Sequence, residues 1–404
     1  MKIDRIVENT YTLSMKNTTE HISFRANWKL SEKAENLLGQ CYAYIYSMMN
    51  MPMRPDYHQK LLVVSLNKGA LATTAIEGNT LTEDELTQIL NGRDLASSKK
   101  YQQKEVENII GAFNFILREL VREKRPMIVS VAMIKHFNEM VGMNIGEAFG
   151  GDPGQLRRRN VTVGAYRPPS FEMVEDLVQK LCDWLKKEFH YGHEQDFNDA
   201  VTEAVVSHVY IAWIHPFLDG NGRTARLLEF YLLMRAGVPN IASHILSNHY
   251  NNTRAEYYRQ LQNASETGEL SAFMEYAFEG FRDGLEYIIE VIHKNQTELT
   301  WKNYVHDEIE KMGSEGKSGK NLRRMRQLAY FIPADRFCSI EEIRILNSKI
   351  NEEYRKLSEI TLRRDLDLLV EKKLLKSEKS KFSANYSLLQ NLFPGAGVQI
   401  KRHY

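Results

Sequence analysis

The stretch Ile214-His-Pro-Phe-Leu-Asp-Gly-Asn-Gly-Arg-Thr-Ala-Arg226 joins two helical patterns. Before it, Ala204, Val205, His208, Val209, Ala212 and Trp213 recur at helical spacing, and Pro216 ends that run because its ring clashes with the preceding turn and it has no N–H. After it, Leu227, Leu228, Phe230, Tyr231 and Leu232 predict a second, buried helix from Arg223. In the loop between them, Gly220, Asn221 and Gly222 allow backbone conformations in which successive N–H groups converge on an anion. A helix N-terminus favours phosphate there. Arg223 and Arg226, three apart, share a face and offer forked guanidiniums to phosphate oxygens. Asp219 is a hard oxygen ligand suited to Mg²⁺, and His215 is a base that works near neutral pH. Together they predict a site that holds a nucleoside triphosphate with its metal and activates a hydroxyl toward phosphorus. No GxxxxGK[ST] loop occurs, so a Walker A site is excluded.

Outward from this corner the chain reads mainly as helix, over residues 30–49, 59–76, 83–89, 104–123, 130–140, 171–188, 198–214 and 223–236. Arg157-Arg-Arg-Asn-Val-Thr-Val-Gly-Ala-Tyr-Arg-Pro-Pro169 breaks the pattern and predicts a short hairpin, its arginines a solvated flank. At 404 residues, with 43% hydrophobic and 26% charged residues, the chain is neither collagen-like nor a coiled coil nor wholly disordered, and has room for several domains. The start lacks a signal-peptide core and no apolar window reaches membrane-span length, so no membrane partner is expected. Cys41, Cys182 and Cys338 have no CxxC spacing, which fits a reducing, cytoplasmic setting.

Charge is uneven. The whole chain is near balance, but residues 321–404 hold 17 basic against 10 acidic side chains, a net of +7, and the rest is at −6. Lys311-Met-Gly-Ser-Glu-Gly-Lys-Ser-Gly-Lys-Asn321 reads as a flexible linker between the two. Beyond it, expected helices at 322–331 and 340–350, a helix from the Ser358 N-cap to Lys373 and a Lys-rich hairpin at 374–388 follow the order of a winged helix-turn-helix. Arg363, Arg364, Lys376, Lys379 and Lys381 would form its phosphate-facing surface, with DNA binding and protein docking both open. His208 reads as a core histidine, and His190 and His193 as solvated.

All eight fixed positions of the HxFx(D/E)GNGRxxR signature are met by His215 to Arg226, and by these residues the chain resembles the Fic family of protein adenylyltransferases. The resemblance covers roughly residues 60–285. It implies a mainly α fold, a Fic-type helical bundle with a β-hairpin flap, followed by the small winged-helix domain. It also implies transfer of AMP from ATP to a Ser, Thr or Tyr hydroxyl of a protein, with pyrophosphate released. His215 would be the general base and Asp219 the Mg²⁺ ligand. Gly220, Asn221, Gly222, Arg223, Thr224 and Arg226 would bind the nucleotide. The flap, Asn160 to Tyr166, would align the target segment by strand addition, its Val163, Gly164, Ala165 and Tyr166 would border the nucleotide, and Tyr257 and Tyr258 either flank the adenosine or pack as ordinary helix residues.

Upstream, Thr73-Thr-Ala-Ile-Glu-Gly-Asn79 is similar to the family's inhibitory pattern (S/T)xxxE(G/N), which implies that Glu77 pairs with Arg226 and blocks the γ-phosphate. The expected organisation is a helical region at 1–105 with the inhibitory helix around 62–77, a catalytic core at 106–290, a helix and linker at 291–320 and the winged-helix domain at 321–404. The protein target is left open, the chain itself among the candidates. Two other readings remain: removal of AMP at the same site, and a nucleotide-sensing DNA-binding regulator.

Overall fold

Helices account for most of the chain in the computed structural model, which describes residues 19–93, 95–123, 128–189, 196–314 and 319–390. In order they are α1 (Glu32–Asn50), α2 (Pro55–Ala75), α3 (Glu83–Leu90), α4 (Lys100–Leu117), α5 (Val131–Gly142), α6 (Val174–Glu188), α7 (Phe197–Ile214), α8 (Asn221–Arg235), α9 (Ile245–Asn252), α10 (Arg254–Thr267) and α11 (Ser271–Ser314). Ser31 and Ser130 cap α1 and α5, and Thr82 with Glu85 forms a capping box on α3, each meeting N–H groups that a helix start leaves unpaired. Pro55 opens α2 at a position where its missing N–H costs nothing, so that helix begins earlier than its apolar pattern indicates.

The centre of the first unit is the pair α7 and α8. Every residue from Ala200 to Ile211 and from Arg223 to Met234 is buried, which is what a helix surrounded by others requires. α5, α4 and α2 pack against α8, and α6 against α7. Truncating a core ring here, such as Phe230 to Ala, costs about 3–5 kcal/mol of stability. The polar groups inside are paired: His208 Nε2 lies 2.9 Å from the Tyr257 hydroxyl, Tyr250 donates to Glu229 at 2.9 Å, and Arg235 meets Glu203. His208 is thus a core histidine.

The expected hairpin at 157–169 contracts to a single antiparallel bridge, Val163 with Tyr166, closed by two hydrogen bonds of 2.9 Å across a turn where Gly164 has φ +59°. The arginines before it are not all solvated: Arg157 is only 3% exposed.

Contacts divide the chain between Ile289 and Glu290, well before the Gly/Ser/Lys stretch. Trp301, Val305, Ile309 and Met312 of α11 belong to the core of the second unit, so 291–314 is structural rather than a connector. Residues 315–318 of the expected linker lie outside the described residues, as do His190 and His193. The second unit continues with α12 (Gly319–Phe331), α13 (Ile340–Arg344), α14 (Ser348–Tyr354), α15 (Glu359–Glu371), β1 (Leu375–Glu378), β2 (Lys381–Ala384) and α16 (Ser387–Gln390). The helix expected at 340–350 is broken because the Asn347 side chain accepts from Ile350 N–H and starts a new one. β1 and β2 pair antiparallel with Leu375 opposite Ala384, and Cys338 bridges to Phe382. Arg324 and the Tyr354 hydroxyl both reach Asp365, at 2.6 and 2.8 Å, fixing α12 and α14 on α15.

Candidate active site

His215 ends α7 in a left-handed conformation, φ 50° and ψ 61°, and Gly220 starts α8 in another, φ +77°. A side chain on Gly220 would press on Asn138 and Phe149. Between them the loop is latched from inside. Asn221 Oδ1 accepts from Phe217 N–H at 2.8 Å while its Nδ2 donates back to Phe217 O at 2.9 Å. Asn138, fully buried on α5, donates to Asp219 O and Thr224 Oγ1 and accepts from Gly154 N–H. Thr224 N–H already returns to Gly220 O, so the first three N–H groups of α8, from Asn221 to Arg223, have no acceptor within the helix. That is an anion cradle.

A carboxylate lies over it. α2 ends at Ala75, Gly78 turns the chain at φ +97°, and the intervening Glu77 places Oε1 2.6 Å from Arg226 Nη2. A Cβ built on Gly222 would fall within 2.2 Å of the same Oε1, so Glu77 occupies the space directly above the cradle glycine. Burial opposes ionisation of Glu77, but the Arg226 and then the Arg223 guanidinium outweigh it and hold its carboxyl below the usual range. Arg226 also donates through Nε and Nη2 to the hydroxyl and carbonyl of Thr73, while its buried Nη1 has no partner among the described residues. Arg223 bridges Asp219 (2.8 Å) and Glu105 of α4 (2.6 Å), and among the described residues its Nε is likewise unpartnered. Asn79, two residues past Glu77, donates to Glu105 Oε2 at 3.0 Å. Burial pushes the Glu105 carboxyl up, with Arg223 acting against it.

His215 is the neutral form of a base at neutral pH: burial pushes its pKa down to about 4, partly countered by its contact with Ala212 O and reinforced by the nearby Arg157 charge. Nδ1 lies 3.4 Å from Ala212 O, which leaves Nε2 to accept a proton. Asp219 Oδ1 takes Gly220 N–H and Arg223, and among the described residues Oδ2 takes only Gly150 N–H, at 3.0 Å.

The match with known proteins agrees with this geometry. Residues 128–233 fit the model of the Fic/DOC family. Those residues match a Fic domain. It is 33% identical over 205 residues to the protein adenylyltransferase fic-1 of Caenorhabditis elegans, covering 50% of this chain and 37% of that one, and 32% identical over the same length to the protein adenylyltransferase Fic of Drosophila willistoni. The chain thus spans less than half the length of these relatives. The solved structure of C. elegans Fic-1 (residues 134–508 of that protein) aligns with TM-score 0.54 and 25% identity over 65% of this chain and 73% of that one. A Fic family protein from Desulfovibrio desulfuricans aligns over 89% and 98% with TM-score 0.55, and at 16% identity shares the fold alone.

Not every expected residue points into the cradle. Thr224 is fully buried and faces Asn138, and the Asn221 side chain serves the loop, leaving its N–H to the site. Tyr257 is 3% exposed, stacks on Tyr250 and bonds to His208, so it packs as a core residue; burial pushes its hydroxyl pKa up. Tyr258 is more open and reaches Ile76 O at 3.4 Å, beside Arg254, which donates to Ala75 O. α10 therefore grips the end of α2. Tyr166 turns inward, donating to Trp213 O at 2.7 Å with His21 Nε2 3.0 Å away, while Gly164 and Ala165 are exposed at the turn and Val163 is half-buried. Sequence reasoning missed Asn138, Glu105 and Arg157. Asn138 had a signal: Ile134, Phe137, Asn138 and Val141 share one helical stripe, and a lone amide on an apolar stripe calls for a partner.

Proposed function

We propose that this chain is a protein adenylyltransferase that moves AMP from ATP to a Ser, Thr or Tyr hydroxyl of a protein, and that Glu77 restrains it. The observation that carries the reading is a pair of donors without partners among the described residues, Arg226 Nη1 and Arg223 Nε, beside a glycine cradle covered by one carboxylate. This is an anion site with an internal anion in it. A triphosphate displacing Glu77 would meet both guanidiniums and the first N–H groups of α8.

In the reaction, His215 Nε2 takes the proton from the target hydroxyl, whose oxygen bonds to the α-phosphorus; the bond from that phosphorus to the bridging oxygen breaks and pyrophosphate leaves. Among the described residues no cluster of three or more His, Cys, Asp or Glu could hold a metal by itself. A single carboxylate suffices for Mg²⁺ when phosphates complete its shell, and Asp219 Oδ2, with one hydrogen bond, fits that part. Mg²⁺ there would offset charge on the leaving pyrophosphate.

Incubating wild type, Glu77→Gly and His215→Ala with ATP labelled on the α-phosphate tests this by gel and intact mass. Expected is weak labelling of wild type, at least about tenfold more with Glu77→Gly, and none with His215→Ala. Equal labelling of wild type and Glu77→Gly would remove the brake, and no labelling of any protein, lysate included, the transfer. The position of ionised Glu77 beside the cradle also supports a second reading, in which it orients water to remove AMP; an AMP-modified protein that loses its label only when Glu77 is intact would favour it.

A further inference from the structure

Arg157 is an unusual buried cation. It is 3% exposed, and among the described residues it has no ion-pair partner. Its acceptors are all main-chain carbonyls from three separate places. Nε donates to His215 O at 2.8 Å, Nη1 to Arg159 O at 3.2 Å, and Nη2 to Pro169 O, with Ile214 O at 3.5 Å. Its own N–H donates to Pro216 O at 2.9 Å. Burial lowers its pKa to about 10, which leaves it protonated at neutral pH.

Each contact has a physical reason. Ile214 and His215 are the last residues of α7, whose terminal carbonyls lack helical partners and carry the negative end of the helix dipole. A guanidinium satisfies two of them at once. His215 stands in the left-handed region, which costs a residue with a side chain about 1–3 kcal/mol and persists only where the surroundings enforce it. Arg159 O and Pro169 O are the two feet of the flap. A planar fork reaches acceptors in several directions, and the compact ammonium of a lysine does not.

We propose that Arg157 is a positioning residue that locks the backbone of the base, His215, and both feet of the flap into one frame, so that a target hydroxyl held by the flap arrives in register with the base. The proposal rests on the adenylyltransferase reading for its kinetic part only. The phosphate cradle is held separately, by Asn138, Asn221 and Gly150, so ATP binding lies outside the role of Arg157.

The test compares Arg157→Lys with its parent, both in the Glu77→Gly background. Amide hydrogen exchange without nucleotide is expected to quicken about tenfold or more in both 160–169 and 213–217 and to stay unchanged in 224–234. The rate kcat for labelling is expected to fall between about tenfold and a hundredfold, with the KM for ATP within about twofold. Asn160→Ala supplies the contrast: Asn160 Oδ1 accepts from Phe171 N–H and ties the two ends of the flap to each other, away from the base, so exchange should quicken in 160–169 only. Unchanged exchange in either segment with Arg157→Lys overturns the proposal, as does unchanged kcat. A protein that fails to fold, or in which 224–234 and ATP binding are lost together with kcat, assigns Arg157 to stability and overturns it too. An inactive Glu77→Gly parent refutes the adenylyltransferase reading instead, and the exchange data still decide the role of Arg157.

Discussion

The loop at 215–223 and the flap at 160–166 lie on either side of Arg157 and are built by opposite rules. The loop is latched through side chains, Asn221 to Phe217, Asn138 to Asp219 and Asp219 to Gly150, and each of its residues is buried or half-buried. The flap keeps one bridge and leaves Thr162, Gly164 and Ala165 exposed. Chemistry requires atoms fixed to a fraction of an ångström, so the loop uses residues that only one sequence supplies. Recognition by strand addition requires exposed main chain, and many sequences supply that.

The most severe way to break the contrast is at its base. His215→Ala in the Glu77→Gly background should lower labelling about 10²–10⁴-fold while ATP still binds, as nucleotide affinity by calorimetry would show. Since His215 is protonated only below a pKa of about 4, kcat/KM should hold through pH 6 and fall on the acid side below about pH 5; a fall centred near 6.5 would contradict the burial argument. Next comes the latch: Asn221→Ala strands Phe217 N–H and O, at about 1–3 kcal/mol for each group left unpaired, and should lower both the melting temperature and kcat, the latter by about tenfold or more. The mildest changes sharpen the other half. Thr162→Ala should alter labelling of a protein target by less than about twofold, whereas Thr162→Pro, which removes an N–H, should reduce it about tenfold with the ATP KM unchanged. Equal effects of the two would mean that the flap reads targets through side chains.

Legibility in the sequence follows the same divide. The helix–loop–helix corner was readable because its determinants are local: Pro216 stops one helix, glycines shape the turn, and two arginines follow on one face. Glu77 was found by pattern, and its contact with Arg226 is a tertiary fact 149 positions away in the chain. Arg157 was misread as solvated because three consecutive arginines look alike until the fold buries one. Glu105 borders the buried stripe of Gln102, Val106 and Ile109 on α4, and no spacing rule tells a salt-bridged carboxylate there from a solvated one. The break between α13 and α14 hid in the Asn347 cap, which an unbroken apolar periodicity masks.

Asn79 gives the turn that carries Glu77 a wider consequence. Glu77 neutralises Arg226, and two residues on, Asn79 steadies the Glu105 that neutralises Arg223. The two ion pairs share one short piece of backbone, so withdrawing it disturbs both together, which would give the restraint proposed above the character of a two-position switch rather than a dial. Thermodynamic reciprocity then applies. Any partner that draws the turn away makes room for the triphosphate, and by the same factor the triphosphate tightens the grip of that partner.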